Sequence, residues 1–173
     1  MTSALALLAG GAAAAGDSET DRRGDVIGDP PGDRADYDIA SASYGKLGRR
    51  KLEHTVTVVG RAADPSKRDS LAVPLLMIDV PKVASQTNAC DFYVGRTSTG
   101  AGPGVYECGD ETRRGDAKIV RTSSGTIRYV FSRRAIRSPR KYGWAVGVRS
   151  RTNGSIVMHD RLPDFGFDTY RIK

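Results

Sequence analysis

Hydrophobic residues along this chain alternate with polar ones over short stretches, which is the pattern of half-buried β-strands. Residues 51–60 (KLEHTVTVVG) place their aliphatic side chains and His54 on one face and polar side chains on the other. Residues 117–132 (AKIVRTSSGTIRYVFS) form two alternating runs around Ser-Ser-Gly, which predicts a hairpin. No stretch keeps a period of 3.6 residues long enough to predict a major helix.

Three further stretches extend this prediction. Residues 71–80 (LAVPLLMIDV) are apolar on both faces, which indicates a central strand whose pairing begins after Pro74. Residues 142–151 (YGWAVGVRSR) put aromatic residues and valines on one face and Gly or Ala on the other. Such a small-residue face favours the close approach of a neighbouring element or a ligand. Residues 132–139 (SRRAIRSP) are typical of a single helical turn with Ser132 as its N-cap.

These runs amount to about eight or nine short strands with turn signals at intervals of roughly 8–12 residues. The sequence therefore predicts an all-β protein, an antiparallel β-sandwich of jelly-roll type with one short helical turn. We expect a signal-peptide-like segment at 1–16 and an acidic Asp/Gly/Pro-rich lead-in at 17–35 that forms a linker or loop. A single sandwich domain at 36–173 follows.

The N-terminal segment indicates export. The first sixteen residues carry no charged side chain, and an apolar run (ALALLAGG) leads into small residues. This is typical of the hydrophobic region and cleavage end of a secretory signal, so we expect a secreted or cell-envelope protein. An Ala-rich disordered or helical tail is the alternative. No stretch reaches the ~18 consecutive apolar residues that a transmembrane helix requires.

Export determines how the two cysteines, Cys90 and Cys108, are interpreted. In an oxidising compartment, two cysteines predict one disulfide. A structural zinc site needs four ligands, and the chain offers only two Cys and two His at unrelated spacings. We therefore expect a structural staple rather than redox or metal chemistry.

Charge is unevenly distributed along the chain, whose formal net charge is +7. Residues 17–38 hold eight acidic residues against three arginines, a charge of −5, so the remainder carries +12. An acidic head that folds back on a basic surface is one interpretation. The other interpretation is that the acidic head holds a cation site and the basic body presents a polyanion-binding face.

Several segments together resemble exported bacterial domains of the family-9 carbohydrate-binding-module type and the wider DOMON-like β-sandwiches. They are GDPPGDRADYDIASAS, CDFYVG, YVFSRRAIRSPRKYGWAVGV and the closing HDRLPDFG. The resemblance covers roughly residues 25 to 165. The resemblance implies a non-catalytic sandwich. Sugar-binding members present paired exposed aromatic residues, whereas we place the single tryptophan of this chain, Trp144, in the core.

Aspartates near both chain ends form a candidate calcium site. Ca²⁺ is bound by six to eight oxygens from carboxylates and backbone carbonyls, often in irregular loops. Asp29 and Asp33 flank a Pro-Pro-Gly turn, with Asp25, Asp36 and Asp38 close in sequence. The chain ends lie together in the resembling fold, which would bring Asp160 and Asp164 to the same place. A solvated Asp-rich lead-in without a bound ion is the alternative.

Two groups of residues are candidate ligand sites. Tyr93 and Tyr106 lie out of phase with Phe92 and Val105, so we expect an outward-facing pair that could stack on sugar rings. Ordinary cross-strand packing is the alternative. Arginine forks suit phosphate or carboxylate ligands, so an extracellular glycan or polyanion is a candidate partner of the basic cluster, with ordinary solubilising surface as the alternative. The cluster comprises Arg133, Arg134, Arg137, Arg140 and Lys141.

The sequence contains no G-x-S-x-G, H-E-x-x-H or P-loop motif, and no recognised nucleic-acid-binding motif. We expect a non-catalytic binding module, in which His54 is a packed and hydrogen-bonded core residue. The main alternative is a structural or protein-interaction module of the cell envelope that binds no small ligand. A small secreted hydrolase is a weaker alternative, because the members of a catalytic triad need not be adjacent in sequence.

Overall fold

The computed structural model describes residues 18–65, 73–81, 90–97, 100–152, 155–164 and 166–172. The predicted signal-like segment 1–16 lies outside these residues. The eleven strands are β1 (Ser18–Thr20), β2 (Ile39–Leu47), β3 (Lys51–Val58), β4 (Leu75–Asp79), β5 (Phe92–Gly95), β6 (Gly104–Glu107), β7 (Arg113–Arg121), β8 (Thr126–Ser132), β9 (Lys141–Thr152), β10 (Ser155–Leu162) and β11 (Asp168–Arg171). Two short 3-10 turns occupy Arg34–Tyr37 and Arg133–Ile136.

The strands form one curled antiparallel sheet in the order β1-β2-β3-β8-β7-β6-β5-β4-β9-β10, with β11 also paired to β9. Strand β7 pairs with β8 along Ala117–Arg121 and with β6 near its start. It therefore joins one half of the sheet, formed by β1, β2, β3 and β8, to the other half, formed by β6, β5, β4, β9, β10 and β11. The predicted all-β class is confirmed. The predicted number of strands was too low, because β1 and β11 lie in polar segments whose alternation is too short to detect.

Alternation in the sequence accurately predicts the core faces. Every second residue of β3, from Leu52 to Val58, is buried, and the same holds for Ile127 to Phe131 of β8. Across the core, the ring of Tyr44 on β2 lies 4.9 Å from that of Trp144 on β9. Trp144 is therefore in the core, as predicted.

His54 is a core residue, as its position among aliphatic side chains predicted. It is 1% exposed, and its Nε2 lies 2.7 Å from the hydroxyl of Tyr142. Burial lowers the pKa of His54 to about 3, so the imidazole is neutral at ordinary pH.

Several local predictions are also confirmed. Strand β4 is buried on both faces and starts at Leu75, directly after Pro74, which cannot donate to a ladder. The predicted helical turn is the 3-10 turn Arg133–Ile136, and the hydroxyl of Ser132 caps it by accepting from the backbone N–H of Arg134. Cys90 and Cys108 form a disulfide with a Cα–Cα distance of 5.8 Å.

The acidic lead-in is more regular than predicted. Strand β1 pairs with β2, and Val26 is buried in the main core. The backbone N–H of Ile27 donates to the carbonyl of His159, 2.7 Å away, which ties the lead-in to β10. In the described part of the chain, no helix has the length and apolar character needed to cross a membrane.

Candidate functional site

A cavity of about 390 Å³ lies where the lead-in meets β10. Its wall combines carboxylates with apolar side chains and the edge of an imidazole. The lining residues are Asp25, Ile27, Met158, His159, Asp160, Arg161 and Asp164. Two further aspartates, Asp21 and Asp38, lie next to the carboxylates of this wall. We call the five aspartates Asp21, Asp25, Asp38, Asp160 and Asp164 the acidic pocket.

Backbone hydrogen bonds position the two buried carboxylates of the acidic pocket. Asp160 follows a bulge in β10, and its Oδ2 accepts from the N–H of Ile39 at 2.5 Å. Its Oδ1 accepts from the N–H of Arg161 at 2.7 Å. Asp38 immediately precedes β2, and its Oδ2 accepts from the N–H of Gly24 at 2.7 Å. Both carboxylates are thus held in place and directed towards the pocket.

The carboxylates repel one another. One ligand oxygen from each of Asp25, Asp38 and Asp160 lies within 4.8 Å of the others, and the same is true of Asp21, Asp25 and Asp164. Burial, together with the charges of Asp25 and Asp38, raises the pKa of Asp160 to about 6. Burial and neighbouring carboxylates likewise raise the pKa of Asp21 to about 7. It therefore costs free energy to keep all the carboxylates of the acidic pocket ionised at once.

The structure brings together Asp25, Asp160 and Asp164 of the predicted calcium ligands. The two others lie elsewhere: Asp29 is exposed with an oxygen 3.9 Å from Arg34, and Asp33 caps the first 3-10 turn. An Asp directly before a helical turn is a common N-cap, and this local role explains why Asp33 faces away.

Sequence reasoning missed Asp21 as a member of the acidic pocket and named Asp38 only as a neighbour of the candidate ligands. The available signal was the position of Asp38 at the start of a predicted strand, beside the other acidic residues. That signal does not distinguish Asp38 from its exposed neighbours in the lead-in.

His159 is buried, with 1% of its surface exposed. Its Nδ1 lies 2.9 Å from the carbonyl oxygen of Ile27, which can only accept, so Nδ1 carries the proton. Nε2 lies 2.7 Å from the hydroxyl oxygen of Ser150, so both ring nitrogens are within hydrogen-bond distance of protein atoms. Ser150 is only 2% exposed and does not line the cavity. His159 thus holds the lead-in against the β9–β10 hairpin, a role that the sequence alone did not indicate.

Tyr93 and Tyr106 lie directly opposite each other on β5 and β6, with ring centroids 5.3 Å apart. The prediction that they form an exposed pair is wrong, because Tyr93 is 7% exposed and Tyr106 is 1% exposed. They point away from the main core, as the alternation indicated, but a second apolar cluster covers them. That cluster also contains Leu75, Met77, Cys90 and Ala145.

Three basic segments that are distant in sequence meet at one end of the sheet. The turn after β2 and the start of β3 lie beside the second 3-10 turn, where the N–H of Arg133 donates to the carbonyl of Arg50 at 2.9 Å. The C-terminal strand joins them, because Arg171 pairs with Lys141. We call this surface the basic end. Its members are Arg49, Arg50, Lys51, Arg133, Arg134, Arg137, Arg140, Lys141 and Arg171.

Two residues of the predicted basic cluster have structural partners. Arg133 donates to the carbonyls of Pro139 and Ser138, which closes the 3-10 turn. Arg137 pairs with Glu107 at 3.2 Å and lies over the ring of Phe92. The other three are exposed, and no described acidic side chain forms an ion pair with them. They are Arg134, Arg140 and Lys141.

The acidic pocket and the basic end lie at opposite ends of β2. Asp38 immediately precedes this nine-residue strand, and Arg49 and Arg50 follow it. A strand of that length spans roughly 30 Å, which exceeds the Debye length of about 8 Å at physiological ionic strength. The acidic pocket therefore does not neutralise the basic end.

Comparison of the chain with protein-family models, curated proteins and solved structures finds no match.

Proposed function

We propose that this protein is an exported, non-catalytic β domain that binds an anionic extracellular polymer at its basic end. The observation that carries the proposal is the meeting of three sequence-distant basic segments, joined by backbone hydrogen bonds, on a surface remote from the acidic pocket. An exposed set of guanidinium and ammonium groups attracts phosphate, sulfate or carboxylate groups spaced along a chain.

The chemistry of the individual side chains supports this ligand class over a neutral glycan. Sugar rings stack on exposed aromatic faces, and the tyrosine pair that the sequence offered for this purpose is buried. Arg134, Arg140 and Lys141 extend from a short turn and the start of a strand. Because Arg133 and Arg137 brace that turn, these exposed groups are held on a fixed backbone.

Export and a non-catalytic role have support of their own. A disulfide such as Cys90–Cys108 persists in oxidising compartments, which favours export. His54 is neutral and enclosed, and His159 is held between Ser150 and a backbone carbonyl. Because the core encloses His54 and both ring nitrogens of His159 already have protein partners, this arrangement favours binding over hydrolysis.

The proposal includes a sandwich-like arrangement of the two halves of the sheet. Its support is the packing of aromatic rings from facing strands, such as Tyr44 against Trp144. Such a fold leaves strand ends and turns free to carry a binding surface.

The test measures retention on immobilised heparin as a function of salt, with neutral dextran as the reference. The variant Arg134→Glu/Arg140→Glu/Lys141→Glu should lose retention, and retention of the natural protein should fall steeply with salt. The matched control is Arg22→Glu/Arg23→Glu/Lys118→Glu. It changes the net charge by the same amount, but the three substituted residues are exposed positions outside the basic end.

Equal loss in both variants would show that overall charge, and not the basic end, causes retention. Failure of the natural protein to bind any anionic matrix would instead favour an envelope module that has no polymer ligand. Stronger binding to double-stranded DNA than to heparin would identify a nucleic acid, and not a polysaccharide, as the preferred anionic polymer.

A further inference from the structure

Asp38 has a buried carboxylate oxygen that lacks a hydrogen bond. The residue is 5% exposed, and among the described residues its Oδ1 has no hydrogen-bond partner. Asp25, which has an oxygen within 4.8 Å of an oxygen of Asp38, also has a buried oxygen, Oδ1, without a hydrogen-bond partner among the described residues. A buried ionised oxygen without a donor is costly, so these oxygens point to a positively charged group that completes the site.

No arginine side chain in the described part of the chain supplies this charge. Arg161 is the cationic residue that lines the cavity, and its guanidinium donates to the carbonyls of Pro163 and Asp164 at 3.2 and 3.4 Å. It also lies over the ring of Phe167, 5.4 Å from its centroid. Arg161 is therefore held by the loop after β10, where it interacts electrostatically with Asp164, and it forms no ion pair with Asp25, Asp38 or Asp160 of the described residues.

The spacing of the carboxylates suits a metal ion. Ca²⁺–oxygen bonds of about 2.3–2.6 Å place ligands on opposite sides of the ion about 5 Å apart. The oxygens of Asp25, Asp38 and Asp160 all lie within 4.8 Å of one another. The cavity gives an ion access to this group from solvent, as a metal site requires.

We propose that Asp25, Asp38 and Asp160 bind one divalent cation of the Ca²⁺ type, with Asp21 and Asp164 in its immediate surroundings. Ca²⁺ fits better than Mg²⁺, because Mg²⁺ is usually held by only one or two carboxylates and keeps several waters. The three ligands come from the lead-in, the start of β2 and β10. The ion therefore fastens the acidic lead-in to the sheet, and this site is independent of the basic end.

The first experiment follows thermal unfolding of the full chain in EDTA, in Ca²⁺ and in Mg²⁺. A hundredfold excess of Ca²⁺ over its Kd should raise the melting temperature by about 5–10 °C, with a smaller effect of Mg²⁺. Asp38→Asn should melt above the natural protein in EDTA, because it removes repulsion and keeps the acceptor for Gly24, and should lose the response to Ca²⁺. Asp25→Asn should likewise melt above the natural protein in EDTA and lose the response to Ca²⁺.

Asp29→Asn is the matched control, because Asp29 lies in the same lead-in but outside the acidic pocket. It should respond to Ca²⁺ as the natural protein does. A second measurement is the rate of trypsin cleavage after the exposed Arg22 and Arg23, which Ca²⁺ should slow severalfold in the natural protein and not in Asp38→Asn.

An unchanged melting temperature in up to about 10 mM Ca²⁺ would overturn the proposal, because extracellular calcium modules bind more tightly than that. A full Ca²⁺ response in Asp38→Asn, or loss of the response in Asp29→Asn, would also overturn the assigned ligands.

Discussion

Removing the disulfide offers a quantitative test of how the β5–β6 hairpin is stabilised. The bond joins Cys90 and Cys108 at the base of the hairpin, while the strands pair from Phe92 opposite Glu107 to Gly95 opposite Gly104. The variant Cys90→Ala/Cys108→Ala avoids placing a hydroxyl in the apolar cluster around Cys90. The backbone hydrogen bonds between β5 and β6 remain in this variant. Stability is lost mainly because the unfolded chain, without the cross-link, gains conformational entropy.

The magnitude follows from the length of the closed loop. The cysteines are 18 positions apart, and the chain-entropy model assigns about 3 kcal/mol to a loop of that size. For a domain of this length, each kcal/mol shifts the melting temperature by roughly 2–4 °C. The double variant should therefore unfold roughly 6–12 °C below the oxidised natural protein.

The assay is thermal unfolding followed by circular dichroism, with and without reductant. Reductant should lower the melting temperature of the natural protein towards that of the double variant and leave the variant unchanged. A variant that melts at the temperature of the oxidised protein would refute the reasoning. It would mean that residual structure, and not the covalent bond, already restricts this loop in the unfolded chain.

Two further predictions concern the core. Gly125→Ala should lower the free energy of unfolding in urea by about 1–3 kcal/mol, because its Cβ would lie 2.8 Å from the carbonyl oxygens of Gly60 and Val58. Gly147→Ala should cost less, since its Cβ would clash with the movable side chain of Met158 and lie at an ordinary contact distance of 3.5 Å from the carbonyl oxygen of Asp160. Equal costs would contradict this. The pKa of His54 is about 3 when folded and about 6.5 when unfolded, so its contribution to stability is lost as pH falls from about 6.5 towards 3. His54 should contribute about 1.4 kcal/mol per pH unit to the pH dependence of the free energy of unfolding, and His54→Gln should lack this contribution. The titratable neighbours of His54, Tyr44 and Tyr142, are the same in both proteins. An identical pH dependence in the two proteins would rule out His54 as the cause.

Local pattern was sufficient for much of the fold. The alternation in β3 and β8 identifies which side chains enter the core, since successive residues of a strand face opposite sides. The cap of the second 3-10 turn was predicted from Ser132 alone, because capping is a contact between near neighbours in sequence.

Exposure was harder to predict. The phase of β5 and β6 correctly turns Tyr93 and Tyr106 away from the main core. It does not reveal whether another layer covers that side, which depends on residues such as Leu75 and Met77. The exposed-pair prediction failed for this reason.

The sequence by itself determined the strand faces, the disulfide and the separation of an acidic head from a basic body, since each is a property of neighbouring residues or of composition. Only the tertiary structure decided that Asp38 meets Asp160 and that Arg50 meets Arg133. These partners are far apart along the chain, and their proximity follows from strand order and register. Strand order and register depend on the packing of the whole core, which no single segment specifies.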